Sequence, residues 1–361
     1  MNYLSIFEVL ASLFVQVSVL IGLTAWITRH PRLRSDADAC WSVAHVCILL
    51  LTAAAFFLPH VRWITWVGLT SSERPISADG VMMLVGGAVS WVWLAGVIAV
   101  SLLCCGGMLR ATSLVRRASV DHRIAQIRQE GLDISQAELP QTGFVETRVS
   151  PDDVSPFCWQ FHRPVIVLPE RVRHFPRAEQ VAILRHEQAH LCRQHPLHLF
   201  LQRMVEAIYW FHPAVWWASK QAAAAREFRC DRDSVRSRGE VVDYLRSLLR
   251  LIESKLHQPA RLPAGIGFMG SASLLKQRAQ LLGDYVESAE MPTQSTGAPR
   301  LVAICGLFCC LIWLPVNPDA SRRSTWSPWP TWSAKILSAT GLEVRDYEVD
   351  GHRLSLHNHD R

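Results

Sequence analysis

A chain of 361 residues that is half hydrophobic, with positive mean hydropathy and fourteen tryptophans, is too apolar for an ordinary soluble enzyme. Its net charge of +6 comes mostly from arginines beside the apolar runs, with further basic residues scattered and no aromatic-interleaved stripe, which argues against direct nucleic-acid binding and for contact with a lipid bilayer. The ten cysteines include no CxxC pair and fall in or beside apolar runs or in the middle of the chain. Free thiols in a reducing compartment are expected, not a disulfide framework.

Three N-terminal runs reach membrane-spanning length, at about 3–27, 40–58 and 81–109. The first is apolar apart from Glu8 and Gln16, the second is uncharged with His45 as its only imidazole, and the third has no charge. A fourth run, 300–316, is uncharged but sits at the lower length limit. No lysine or arginine precedes the first run and no small-residue cleavage site follows it, so it reads as a retained anchor and not a cleaved signal. Arginines set the expected orientation. Arg29, Arg32 and Arg34 follow the first run, and Arg110, Arg116, Arg117, Arg123 and Arg128 follow the third. The N-terminus is therefore expected outside, residues 110–299 in the cytoplasm, and the tail 317–361 outside, although Arg322 and Arg323 run against that last assignment.

Within the cytoplasmic region, Val115 to Glu130 predicts a juxtamembrane helix and Gly131 to Gly143 a connector. Two strands are expected, Phe144 to Val149 and the proline-bracketed run Pro164 to Pro169. Prolines at both ends mark the second as an edge strand, either one merely protected by its prolines or one available to an extended substrate.

A helix opened by Pro176 and Glu179 then carries His186-Glu187-Gln188-Ala189-His190, an instance of HExxH. Residues four apart share a helical face, so His186 and His190 can grip one zinc ion while Glu187 projects beside it. Three protein ligands leave the ion a position for water, and Glu187 can act as general base toward a peptide carbonyl. The apolar segment Leu197 to Ala218 contains Arg203, Glu206, His212 and Pro213, and reads as a buried or membrane-skirting helix broken at Pro213 rather than a further span. Farther on, Glu227 and Asp231 are again four apart. One reading makes them a third ligand and a carboxylate behind a histidine; the other puts them in a surface network with neighbouring arginines.

Together these pieces resemble the BlaR/MecR-type integral membrane zinc metallopeptidases of bacterial signalling. The matching segments are Pro164 to Glu170, His186 to Leu197, Phe211 to Trp217 and Arg226 to Asp231, in the family's order. The resemblance implies a mainly α integral membrane protein with four transmembrane helices and a cytoplasmic α+β domain of gluzincin type. It implies Zn2+ held by His186, His190 and Glu227, with Glu187 as base and Asp231 supporting a ligand. It further implies a bacterial inner-membrane protein that passes an external signal by cleaving itself or a cytoplasmic repressor of the BlaI/MecI type. The sequence departs from the family's aspartate at His195 and its asparagine at His212; the latter, with Tyr209, is a candidate oxyanion stabiliser but more often a packing residue.

After the fourth run about forty-five residues remain, too few for the penicillin-binding domain of the β-lactam sensors, and the SxxK match at Ser273 to Lys276 lacks partner motifs. The tail instead offers Trp326, Trp329 and Trp332 to an interface and a hairpin around Asp350-Gly351. Two other readings compete: a quality-control peptidase similar to the HtpX/Ste24 group, and a non-catalytic receptor with a structural zinc site. The scissile bond, the external ligand and the oligomeric state have no signature in the sequence.

Overall fold

The computed structural model describes residues 3–30, 33–61, 76–131, 145–152, 154–161, 163–235, 238–256, 277–282, 297–314, 336 and 339–341. In chain order the elements are α1 (Tyr3–Arg29), α2 (Ala37–Phe57), α3 (Ile76–Arg117), β1 (Ser119–Val120), α4 (His122–Gly131), β2 (Glu146–Ser150), β3 (Phe157–Trp159), β4 (Val165–Pro169), α5 (Arg177–Cys192), α6 (His195–Ile208), α7 (Pro213–Ser234), α8 (Arg238–Leu256) and α9 (Ala298–Cys309). A helical segment at 277–282 lies between α8 and α9. Chain contacts define two units: Met1–Ala99 with Val205–Ala218 and Ser295–Arg361, and Val100–Met204 with Ser219–Gln294. The tail tryptophans, the hairpin around Asp350-Gly351, the Ser273 to Lys276 match and most of the connector lie outside the described residues.

In the first unit α1 and α2 pack together, and α9 packs on both. The buried residues of α1, Val9, Leu13, Val17, Leu20, Thr24 and Ile27, recur at three- and four-residue steps, which makes a single helical face. Trp41, Ala44, Ile48, Leu51 and Ala55 do the same for α2. At Gly306 of α9 an added Cβ would lie 2.8 Å from the Cys47 sulfur, so the backbone approaches α2 as closely as it does because no side chain intervenes. Buried polar side chains in this unit find partners across its helices: Trp313 donates to Glu8 (2.7 Å) and Gln16 to the Ile312 carbonyl (2.6 Å). Tyr209 and His212 are likewise engaged, Tyr209 with the Thr52 hydroxyl (2.6 Å) and His212 with Ser18 (3.2 Å), as packing residues would be.

Among the described residues, three helices are long and apolar enough to cross a membrane, within Ile6–Arg29, Ala37–Phe57 and Leu84–Arg117. The most apolar window of α3 has no residue buried in the protein, and Leu84, Trp91 and Leu103 face outward from it. Surface of that kind is at home against lipid tails. The fourth run yields only the twelve-residue helix α9, about 18 Å long at 1.5 Å per residue, short of a hydrocarbon core of about 30 Å.

The second unit is built on a four-stranded sheet of order β1-β2-β4-β3. β2 and β4 run parallel, with Glu146 opposite Val165, while β1 and β3 are antiparallel to their neighbours. The proline-bracketed strand is therefore interior, and all five of its residues are buried, contrary to the edge position expected for it. Its prolines stand at the ends, where the ladder asks little of them; Pro164 even contributes its carbonyl, accepting from the Glu146 N–H at 3.0 Å. The edge beyond it belongs to β3. The continuous juxtamembrane helix expected over Val115 to Glu130 is interrupted: α3 ends at Arg117, β1 joins the sheet, and Asp121 caps α4 by accepting the Ile124 N–H at 3.0 Å. Ile124, Ile127, Val149, Ile166, Leu168, Ile183, Leu184 and Leu191 form the core between α4, the sheet and one side of α5. Ala182 joins Tyr244 and Leu248 of α8 in a second cluster. Helix α5 is thus gripped on two sides. All ten cysteines are free thiols.

Candidate metal centre

Helix α5 starts after Pro176 and places His186, Glu187 and His190 on its last two turns, all three buried or nearly so. Glu227 reaches the same point from α7. The Nε2 atoms of His186 and His190 are 3.1 Å apart, and each lies 3.6 Å from a Glu227 carboxylate oxygen. Two ligands held about 2.05 Å from a tetrahedral ion are separated by about 3.3 Å, and the two imidazoles, each facing one oxygen of the Glu227 carboxylate, stand at close to that spacing, so the three residues are near enough to share one ion. The donor set, two imidazole nitrogens and a carboxylate, also suits zinc. The sequence-predicted ligands are thus brought together with Glu187 on the adjoining face.

The support behind His186 is charged. Its Nδ1 lies 2.9 Å from the Tyr244 hydroxyl and 3.2 Å from Asp231 Oδ1, and Tyr244 itself donates to Asp231. With the Tyr244 proton directed at Asp231, His186 carries a proton on Nδ1, and Nε2, which faces Glu227 and His190, is the nitrogen that would bind a metal once its own proton is displaced. Arg278, from segment 277–282, closes the group. It donates to Asp231 Oδ2 (2.7 Å) and to the Tyr244 oxygen (2.8 Å), and pairs with Glu227 Oε2 at 3.1 Å. Glu227 and Asp231 therefore belong to a buried network and not to a surface one. The arginines beside them in sequence are occupied elsewhere, Arg226 with Gln202 and Arg229 with Asp233.

Charges follow from this arrangement. Burial alone would raise the Glu227 pKa, but the Arg278 guanidinium and the two imidazoles hold it well below the usual carboxylate range. Burial works against a charged His186, yet hydrogen bonds to Asp231 and Glu227 lift its pKa to about 9. His190 goes the other way, lowered by burial despite the nearby Glu227. Glu187 is raised to about 7 by burial, helped by repulsion from Glu227 and opposed by His186 and Arg278. A carboxylate poised near neutrality suits proton transfer in either direction. The edge strand β3 packs on α5, and Cys158 in it feels the charges of Glu187 and Glu227, which together with burial push its thiol pKa up.

Tyr244 and Arg278 were not foreseen. Tyr244 is one apolar-face position among many on an amphipathic helix, and Arg278 lies forty-seven residues beyond the aspartate it binds. The one sequence-level clue was a debt of charge: two buried carboxylates beside two histidines call for a cation, without saying which.

The profile of the BlaR1 peptidase M56 family matches residues 70–282, more than half of the chain and the whole of this site. The chain is 23% identical over 334 residues to "Regulatory protein BlaR1" of Bacillus licheniformis, a match covering 78% of this chain and 53% of that protein. It spans about half the length of that curated relative. With the family's profile covering the HEQAH helix, Glu227 and Arg278 alike, this chain belongs to the BlaR1 peptidase M56 family.

Proposed function

We propose that the protein is a membrane-embedded zinc endopeptidase that relays an external signal by cleaving itself or a cytoplasmic repressor of the BlaI/MecI type. The observation that carries this reading is the triangle of His186, His190 and Glu227 with a buried carboxylate, Glu187, beside it. His186, His190 and Glu227 would hold a zinc ion there, which would supply Lewis acidity toward a peptide carbonyl and a water molecule. Glu187 takes the proton of the attacking water and passes it to the departing amide nitrogen. An extended substrate pairs with β3, the edge strand of the described sheet that packs beside the HEQAH helix, through backbone hydrogen bonds. The domain is of gluzincin type, with Glu227 as the distal ligand and Asp231 fixing the tautomer of His186. The arginine distribution puts the N-terminus outside and residues 110–299 in the cytoplasm, in a bacterial inner membrane. A fourth crossing at 300–316 completes this topology; with α9 only twelve residues long, it requires local thinning of the bilayer or residues beyond the helix.

Zinc content and proteolysis of the detergent-purified chain test the reading together. About one zinc per chain is expected, lost in Glu227→Ala, while Glu187→Gln keeps its zinc and loses cleavage by about three orders of magnitude or more. Full cleavage by Glu187→Gln, or a folded wild type that takes up no zinc, would sink the proposal.

A further inference from the structure

The turn between α5 and α6 contains the one non-glycine residue with positive φ among those described, Gln194 at φ 55°. Its N–H donates to the Leu191 carbonyl (3.0 Å), closing α5, and its own carbonyl accepts from Leu197 and His198, opening α6. A left-handed residue without glycine's freedom is strained, and such strain persists where the surroundings enforce it. The result of this corner is that His195 folds back over the final turn of α5. His195 is 4% exposed, and its Nδ1 stands 2.9 Å from Nδ1 of His190 and 3.4 Å from the buried Cys230 sulfur.

Proton bookkeeping decides what this contact is. His190 turns Nε2 toward Glu227 and His186, so its ring proton is on Nδ1, and the facing His195 nitrogen must be an acceptor. His190 Nδ1, His195 Nδ1 and Cys230 Sγ also lie close enough together to hold a metal ion. A second ion there would require His190 to give up both ring protons, since its other nitrogen already faces the first site. The hydrogen bond needs no such step.

We propose that His195 is a positioning residue for the metal centre: its imidazole accepts the Nδ1 proton of His190 and so fixes the tautomer and ring plane that present Nε2 to the metal. This rests on the peptidase reading above. It differs from that reading in assigning His190 an uncharged support where His186 has a carboxylate.

Cobalt(II) titration of the full chain in detergent, followed by the visible bands of the metal, tests it without reference to activity. In histidine Nδ1 hangs directly from Cγ, as Oδ1 does in aspartate and asparagine, so both substitutions return an acceptor to nearly the same place. His195→Ala is expected to bind cobalt about tenfold more weakly, with altered bands, His195→Asn to recover most of the loss, and His195→Asp to match or exceed wild type. Equal affinity and identical bands for wild type and His195→Ala would overturn the positioning role alone. So would a His195→Asp variant as weak as His195→Ala, since the site would then need the ring and not the acceptor. Two cobalt ions per wild-type chain, with a thiolate charge-transfer band lost in Cys230→Ser, would make the cluster a second metal site. A folded wild type that binds no cobalt would remove the metal reading and this one with it. Should His195→Ala not fold, the asparagine and aspartate variants still decide.

Discussion

The two histidines of the HEQAH helix occupy the same face at the same spacing, yet the regions behind them have opposite character. Behind His186 stand an aspartate, a tyrosine and an arginine drawn from α7, α8 and the segment 277–282, tied together at 2.7–3.2 Å. Behind His190 stand an imidazole and a thiol, the imidazole only five residues away in sequence. The motif therefore specifies where two ring nitrogens point, but not how firmly either is held. That second property comes from elements that the motif does not contain, and it differs between the two rings.

The largest effect is expected where the charged support is opened. Arg278→Met leaves Glu227 and Asp231 buried without their cation and should cost about 3–5 kcal/mol, read as a fall in thermal unfolding temperature of the metal-free chain. A methionine variant as stable as wild type would mean that the arginine is not needed to offset those carboxylates. Next, Asp231→Asn keeps the shape and removes the charge behind His186, and zinc affinity measured by competition with a chelator should fall about 10–100-fold. Tyr244→Phe, which leaves Asp231 and Arg278 in place, should lose no more than about tenfold. If Asp231→Asn weakens zinc binding no more than His195→Ala weakens cobalt binding, the contrast between a charged and an uncharged support has no energetic content.

A smaller effect, away from the centre, sharpens the contrast by showing a carboxylate with a purely structural role. Burial tends to raise the Asp121 pKa, but the Ile124 N–H and the Arg173 guanidinium at 2.7 Å bring it below its ordinary value. A carboxylate whose pKa is lower folded than unfolded adds stability above its unfolded value, about 3.9, and that stability is lost as pH falls through the folded value. Asp121→Asn should therefore cost about 1 kcal/mol at neutral pH, by loss of the cap and ion pair, and flatten the dependence of the unfolding temperature below about pH 4. Zinc affinity should not change.

What the sequence made legible was whatever repeats locally. The membrane-length helices follow from unbroken apolar runs, and the pairs His186 with His190 and Glu227 with Asp231 follow from the four-residue helical step. Contacts that join distant segments left no such trace. Arg278 meets Asp231 across forty-seven positions, and Tyr244 reaches His186 across fifty-eight. Local rules also misled where the ends of an element mattered more than its composition. The prolines bracketing the run Pro164 to Pro169 suggested an edge strand, but at the ends of the strand they cost the ladder almost nothing, and every residue of the strand is buried. The break between α3 and α4 was equally hidden, because Asp121 caps a helix only once the chain has turned to pair Ser119 and Val120 with β2.

The left-handed corner at Gln194 has a consequence for how this chain tolerates change. Two helices and the backing of one histidine converge on a single backbone conformation, so substitutions there are sorted by dihedral preference before side-chain chemistry matters. Glycine, asparagine and aspartate enter freely, whereas valine, isoleucine or proline would straighten the corner and draw His195 away from His190. Mutational drift at an otherwise unremarked loop position is thereby restricted by the geometry of a centre to which its side chain contributes nothing.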